Sequence, residues 1–482
     1  MKSREIGCAA KRLTLYAPYV FFALFCLVFL GRQFGNMDEL WNYNFAVNIA
    51  NGKIPYRDFS IVQTPLSAYI PAALMRLFGK GLFVWRITGA ALLCTLSMLL
   101  YRSCKRETGS AFLGFMLALF AVSINLLFYV YNYNYLSALI ILIILEIDVI
   151  ADKKETLAAV TTGLLVGLLP LVKQNTGAVL MAANFVICIL GVFKYKKSKK
   201  LMLARAALST VPICVFLVYM YAVGAIGDFF EYAVLGISTF VHRTTPIDMI
   251  SIDPTTSIFY LLIAIGGIAC IIFGVRKERL TMRRLSGLLF LAAWFSVTYP
   301  LFDAHHLNAV FLVLFPVASM FVGLKSVKTA VKYILVVLLV TFFAVIDVIA
   351  ILPSGDWCFS SLDNYEHIPI NEKTEYGIRV IDEYILEKKS EGYTVRFAFC
   401  EGTVYTIPLN EYEKNWDMLL VGNIGMNTVS DLLDSTPDKC LFLVYRHYEE
   451  LGIQEHYELI DYVVNNYEKI DEVLGLDVYE KK

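Results

Sequence analysis

GRQFGNMDELWNYNFAVNIANGKIPYRDFSIVQTPLSAYIPAALMRLFGKG, residues 31–81, is a long mixed segment set between two apolar runs, Leu13–Leu30 and Leu82–Tyr101. Roughly 17 to 25 predominantly apolar residues are needed for a helix to cross a bilayer, where no water satisfies backbone groups. Further stretches of this kind run over Ala111–Val130, Tyr135–Ile150, Leu157–Val172, Gly177–Phe193 and Leu201–Val223. The remainder are Ile258–Val275, Leu285–Leu301, Leu307–Leu324 and Val331–Ile351. The chain therefore reads as an all-α polytopic membrane domain over 1–352, with about eleven transmembrane helices. A small α/β domain over 353–482 follows it. The first run has Lys11 and Arg12 before it and Gly-Arg-Gln after it, which reads as a retained anchor, not a cleaved signal peptide.

Composition gives the same class. Hydrophobic residues make up 58% of the 482 and charged ones only 17%, too apolar for a chain of this length in water. The formal net charge of +0 conceals an asymmetry. Residues 354–482 carry 11 Lys+Arg against 26 Asp+Glu, while the preceding residues carry 31 against 16. An acidic segment behind a basic, apolar body implies two domains in two solvents, with the boundary near Pro353. Helix-like Glu372–Lys389, strand-like Tyr393–Phe399 and Cys440–Tyr445, helix-like His456–Asn466 and a final Tyr467–Tyr479 segment give that domain its α/β pattern.

Orientation follows from the basic residues of short loops, which stay in the cytoplasm. Arg102, Lys105 and Arg106, then Lys153 and Lys154, then KYKKSKK at 194–200, RKERLTMRR at 276–284 and finally Lys325, Lys328 and Lys332 alternate onto one side. YNYN at 131–134, KQNTG at 173–177, Gly224–Ser257 and FDAHH at 302–306 hold few basic residues and fall on the other. The expectation is a multi-pass plasma-membrane protein with a cytoplasmic N-terminus and an extracytoplasmic C-terminal domain.

Several chemistries are excluded. Seven of the ten cysteines precede Pro353, mostly in apolar runs where the thiol acts as a small hydrophobe. Cys358, Cys400 and Cys440 allow one bridge at most and form no metal-like pairing. No P-loop, GxGxxG or HExxH string occurs, so cytoplasmic nucleotide binding and zinc hydrolysis have no support. Nucleic acid is not an expected partner.

Asp38 and Glu39 sit about eight residues beyond the first run, which places two adjacent acids near the outer membrane surface. Leu40–Asn51 reads as a helix with apolar Phe45, Val47, Ile49 and Ala50, and Pro65–Phe78 as a short interfacial run, so the segment is expected to lie along the membrane. The acidic pair, the string Gly52, Pro55, Tyr56, Asp58 and Phe59, and TPLSAY resemble the first external loop of the GT-C polytopic glycosyltransferases. That superfamily includes the family 39-like protein O-mannosyltransferases and the aminoarabinose transferases of lipid A. LVKQNTG at 171–177 also resembles a Lys-Gln-Thr-Gly segment of bacterial members, interrupted here by Asn175. The resemblance covers the membrane part in topology and two short segments in motif; the C-terminal domain resembles no family we can name.

What the resemblance implies is transfer of a sugar from a polyprenyl-phosphate donor to an extracytoplasmic glycan, lipid or protein acceptor. Such chemistry needs a base for the acceptor hydroxyl and cations or donors for the charge developing on phosphate. By the family pattern Asp38 is the base, Glu39 assists, and Tyr56 and Asp58 are donor- or acceptor-binding candidates. A helix cap with a first-turn acid is the alternative for the 38–39 pair. Lys173, with Gln174 beside it, either holds the donor phosphate or reaches lipid headgroups. His305 and His306, beside Asp303, either donate to phosphate, ligate a metal or are simply solvated at the interface. Arg243 in the Gly224–Ser257 loop is a further phosphate or acceptor contact. No cofactor follows from the motifs, and a divalent cation stays an open candidate with no residues assigned as its ligands. Glu146, Asp148 and Asp347 read as solvated helix ends, and Tyr129–Tyr135 as an aromatic belt. The rival function is a transporter or flippase of a lipid-linked or small solute, which an internal repeat would support, and none is evident. A third reading is a catalytically lapsed scaffold.

Overall fold

The computed structural model describes residues 16–125, 131–151, 153–239, 244–277, 279–321, 345–346, 348–410, 412–420, 422–450 and 456–481. They form two compact units. The first draws on Met1–Arg32, Arg86–Cys214 and Arg243–Leu352, and the second on Gln33–Trp85, Val215–His242 and Pro353–Lys482.

Among the described residues six helices are long and apolar enough to cross a membrane: Leu82–Thr108, Tyr133–Ile150, Glu155–Val172, Gln174–Phe193, Lys199–Ala222 and Pro254–Lys277. The protein is thus a multi-pass membrane protein, and these helices meet six of the expected spans. Other expected spans are shorter. Tyr16–Gly31, Ala111–Ser123 and Ala304–Ser319 are apolar helices below full spanning length. Ser110 caps the second of these by accepting from the Leu113 amide, and at its far end the Asn125 side chain turns back onto the Ala121 carbonyl. Met282–Trp294 continues as a 3-10 turn over Phe295–Thr298. The last expected span, Val331–Ile351, lies outside the described residues over 331–344 and at Asp347.

At the end of the first unit that carries the basic loops, acids and bases from several helices meet. Arg106 donates to Glu146 at 2.6 Å, and Arg283 pairs with Glu107. Ser286 donates to Asp148 at 2.7 Å, while Arg205 stands 3.8 Å from the same carboxylate. Glu146 and Asp148 are therefore ion-paired side chains and not solvated helix ends. The correction has a simple cause: helices that end at the same level bring their terminal basic residues over one another's acids.

In the second unit, residues 31–81 fold into two helices, Met37–Ala50 and Leu66–Phe78, that pack against each other. Every residue from Glu39 to Ala50 is buried. From Glu39 onward this first helix is therefore covered on all its faces. Pro353–Lys482 forms an α/β sandwich on a four-stranded sheet in the order Thr394–Phe397, Cys440–Tyr445, Leu476–Glu480, Glu468–Val473. The first pair is parallel and the others antiparallel. Alternation along Cys440–Val444 splits the core. Leu441 and Leu443 pack with Ile381 and Ile385 of helix Glu372–Ser390, while Phe442 and Val444 pack with Leu459, Ile460 and Val463 of helix Tyr457–Asn466. The expected final segment is a hairpin of two strands, turned at Leu474 and Gly475, both at positive φ.

Candidate functional site

In the second unit, helix Met37–Ala50 begins under Asn36, whose side chain accepts from the Glu39 amide at 2.9 Å. The cap is therefore Asn36, and the acidic pair occupies the first turn, where a carboxylate complements the helix dipole. Asp38 is exposed. Glu39, one residue on and so about 100° round the helix, is 1% exposed. One acid can meet a solute, and the other cannot without rearrangement.

Tyr56 and Asp58 hold the loop between the two helices. Tyr56 stands at φ 70 and is fully buried, its hydroxyl donating to the Gln63 carbonyl at 3.0 Å. Asp58 accepts from the Ile54 amide at 2.8 Å and from the Arg57 guanidinium at 2.8 and 3.0 Å. The Arg57 hydrogen bonds, with help from the Ile54 amide, hold the Asp58 carboxyl below the usual carboxylate range.

A second acid in this unit carries no motif. Asp417 is 4% exposed and accepts from the Asn44 side chain at 3.4 Å, while Asn44 in turn accepts from Asn48 at 3.2 Å. Its other carboxylate oxygen has no hydrogen-bond partner among the described residues. Burial pushes this carboxyl up to about 7 against the pull of Lys53. Lys53 itself is pulled down by burial; it donates to the Tyr412 carbonyl at 3.1 Å and lies 4.6 Å from that ring's centre. The signal in the sequence was the i, i+4 pair Asn44 and Asn48, which sits on one helix face, but nothing in it named the partner.

In the first unit, three loops predicted on one side come together. Helices Glu155–Val172 and Gln174–Phe193 are joined through the single residue Lys173. Gly177 lies so close to the Leu169–Pro170 backbone that a Cβ there would collide with it, which gives the glycine of LVKQNTG a physical reason. Lys173 is 9% exposed; its ammonium donates to the Asn134 side chain at 3.1 Å and stands 4.9 Å from the Tyr133 ring centre. It also lies within electrostatic reach of Asp303, His305 and His306. Asp303 caps helix Ala304–Ser319, taking the His306 amide at 2.8 Å and its ring Nδ1 at 2.9 Å. The two imidazoles meet edge to face at 5.2 Å. Both histidines thus sit in a helix's first turn and not in a loop. Gln174 is half-buried at the head of its helix. Tyr133 and Asn134 fall in the stretch Tyr129–Tyr135 that the sequence reads as an aromatic belt, and Arg243 lies outside the described residues. Among the described residues no group of three or more His, Cys, Asp or Glu is arranged to hold a metal ion.

No protein-family model and no curated protein matches the chain. Among solved structures it is similar to ArnT from Cupriavidus metallidurans in the apo state, at 11% identity and a TM-score of 0.61, with 98% of each chain covered. It is also similar to ArnT from the same organism bound to undecaprenyl phosphate, at 12% identity and a TM-score of 0.52, covering 97% of this chain and 98% of that one. The likeness is one of fold, and it extends over nearly the whole chain, the C-terminal α/β region included.

Proposed function

We propose that the protein is a membrane glycosyltransferase that moves a sugar from a polyprenyl-phosphate donor to a hydroxyl of an extracytoplasmic glycan, lipid or protein. The observation that carries this reading is the likeness over nearly the whole chain to a fold of which one solved example holds undecaprenyl phosphate. In the proposed reaction Asp38 takes the acceptor's hydroxyl proton, and the acceptor oxygen bonds to the anomeric carbon. The bond from that carbon to the phosphate oxygen breaks, its electron pair leaving on the lipid phosphate. The exposure of Asp38 supports its role as base.

Lys173 is the group proposed to meet the charge on phosphate, its ammonium held in place by Asn134 and Tyr133. Asp303 would set His306 in one ring orientation for the same purpose, with His305, Gln174 and Arg243 as further donor or acceptor contacts. Glu39 is buried and acts in this scheme as a positioning residue for the helix start. Tyr56 and Asp58 act through the loop they hold. The placing of basic loops supports a cytoplasmic N-terminus and a C-terminal domain outside the cytoplasm.

The test is transfer of label from a panel of polyprenyl-phosphate sugars to cell-envelope acceptors by the full chain in lipid. Asp38→Asn is expected to keep donor binding and lose transfer by roughly 100- to 10,000-fold. Lys173→Gln is expected to weaken donor binding first. Label carried across vesicles by both proteins without transfer would replace the transferase with a transporter.

A further inference from the structure

The first unit holds a cavity of about 330 Å³ at the end that carries the basic loops. It is walled by the end of helix Tyr133–Ile150, the start of Glu155–Val172, the KYKKSKK loop, and the starts of Lys199–Leu208 and Met282–Trp294. Its charged lining is Asp148, Glu155, Lys197, Arg205 and Arg283, and Ser286 is among its hydroxyl groups. Nothing in the proposed transfer reaction uses it.

The guanidinium of Arg205 is incompletely matched. It is 5% exposed; its Nε donates to Asn184 at 2.7 Å, and one terminal nitrogen reaches Asp148 only at 3.8 Å. Its other terminal nitrogen has no hydrogen-bond partner among the described residues, and the same holds for Nε of Arg283. A buried donor without a partner is costly, more so when charged, and this one belongs to a residue lining a cavity from which an acceptor could reach it. The backbone that carries it is held close, because Gly163 lets helix Glu155–Val172 approach the Arg205 carbonyl so nearly that a Cβ would collide with it.

Two guanidiniums and an ammonium around one hollow suit an oxyanion, since the guanidinium fork matches phosphate oxygens in pairs. The two acids in the lining are already engaged, Asp148 by Ser286 and Glu155 by Lys197 at 3.4 Å. Lys194, Lys196, Lys199 and Lys200 flank the opening in sequence. Such a basic stretch beside spanning helices attracts anionic lipid.

We propose that this cavity binds the phosphate of an anionic phospholipid headgroup. The proposal is independent of the transferase reading. The full chain would be placed in discs of phosphatidylcholine with and without phosphatidylglycerol, and retained lipid counted by native mass spectrometry. Wild type is expected to keep one phosphatidylglycerol molecule on transfer to detergent, and Lys197→Gln and Arg283→Gln to lose that retention by roughly tenfold, as for one charge-assisted contact. Lys200→Gln, which removes equal charge from the same basic run outside the lining, is expected to retain it. Arg205→Gln is a fourth variant, informative only when its thermal unfolding matches wild type. Equal retention by all variants would overturn the site. Stabilisation by inorganic phosphate with no preference for phosphatidylglycerol would overturn the lipid as its source.

Discussion

The acids of the first loop and those of the C-terminal domain meet their surroundings in opposite ways. Asp58 is half-exposed and clamped by Arg57 and the Ile54 amide, so its carboxyl is held low. Asp417 and Asp382 are buried, each with one carboxylate oxygen lacking a partner among the described residues, and burial pushes both up to about 7. An acid within a recognisable string is thus engaged in holding a turn, while acids in no string carry the unusual electrostatics. Motif and electrostatic perturbation are separate signals, and they point here to different residues.

Four substitutions probe that contrast. The largest expected effect is on turnover: Asp38→Asn should lose transfer by roughly 100- to 10,000-fold, while Asp417→Asn leaves it little changed when both are assayed at pH 6. Loss of transfer in Asp417→Asn, with unfolding unaltered, would join the two classes of acid.

The next effect concerns stability against pH. Because the folded carboxyl of Asp417 is raised from its ordinary 3.8 to about 7, the folded chain holds that proton more tightly than the unfolded one. Its stabilising contribution is complete below pH 3.8 and is lost as pH rises through about 7. Asp417→Asn should flatten that part of the profile and raise the thermal midpoint at pH 8 by a few degrees. Identical profiles for mutant and wild type would mean that burial of this carboxyl costs nothing.

Removing the cap by Asn36→Ala should cost about 1 kcal/mol, read in denaturant or heat, and lower transfer with it by displacing Asp38. Last, Arg57→Gln should shift the thermal midpoint immeasurably, since an exposed pair contributes little. A drop as large as that of Asn36→Ala would show that Asp58 depends on its ion pair and not on the Ile54 amide.

Much of the fold was written in local pattern. Apolar length alone located helices such as Gln174–Phe193 and Pro254–Lys277, and a short unbroken apolar run located strand Cys440–Tyr445 to the residue. The alternation of basic loops grouped Lys173 with His305 and His306, which the structure brings together. What stayed hidden depends on distant partners or rare backbone. Asn44 finds Asp417 across 373 positions, and no periodicity reports such a pair. The final hairpin turns on Leu474 at φ 45, where Asn or Gly would have announced a turn. Helix Met37–Ala50 showed its apolar residues but not that its asparagines would also be buried: Asn44 finds its partner in the C-terminal domain, while Asn42 and Asn48 bond within the first segment.

The second unit also sets a timetable for synthesis. Its first helix emerges from the ribosome with Asn44 and Asn48 facing outward, and the segment that covers them is made some 373 positions later. The inner strand Leu476–Glu480 is made after both of its neighbours, yet it joins Cys440–Tyr445 to Glu468–Val473. Assembly of this unit is therefore held back until translation has passed residue 480. Until then its early helix needs a holding partner or tolerates water, and a stalled or shortened product would leave that helix as the first target for quality-control proteolysis.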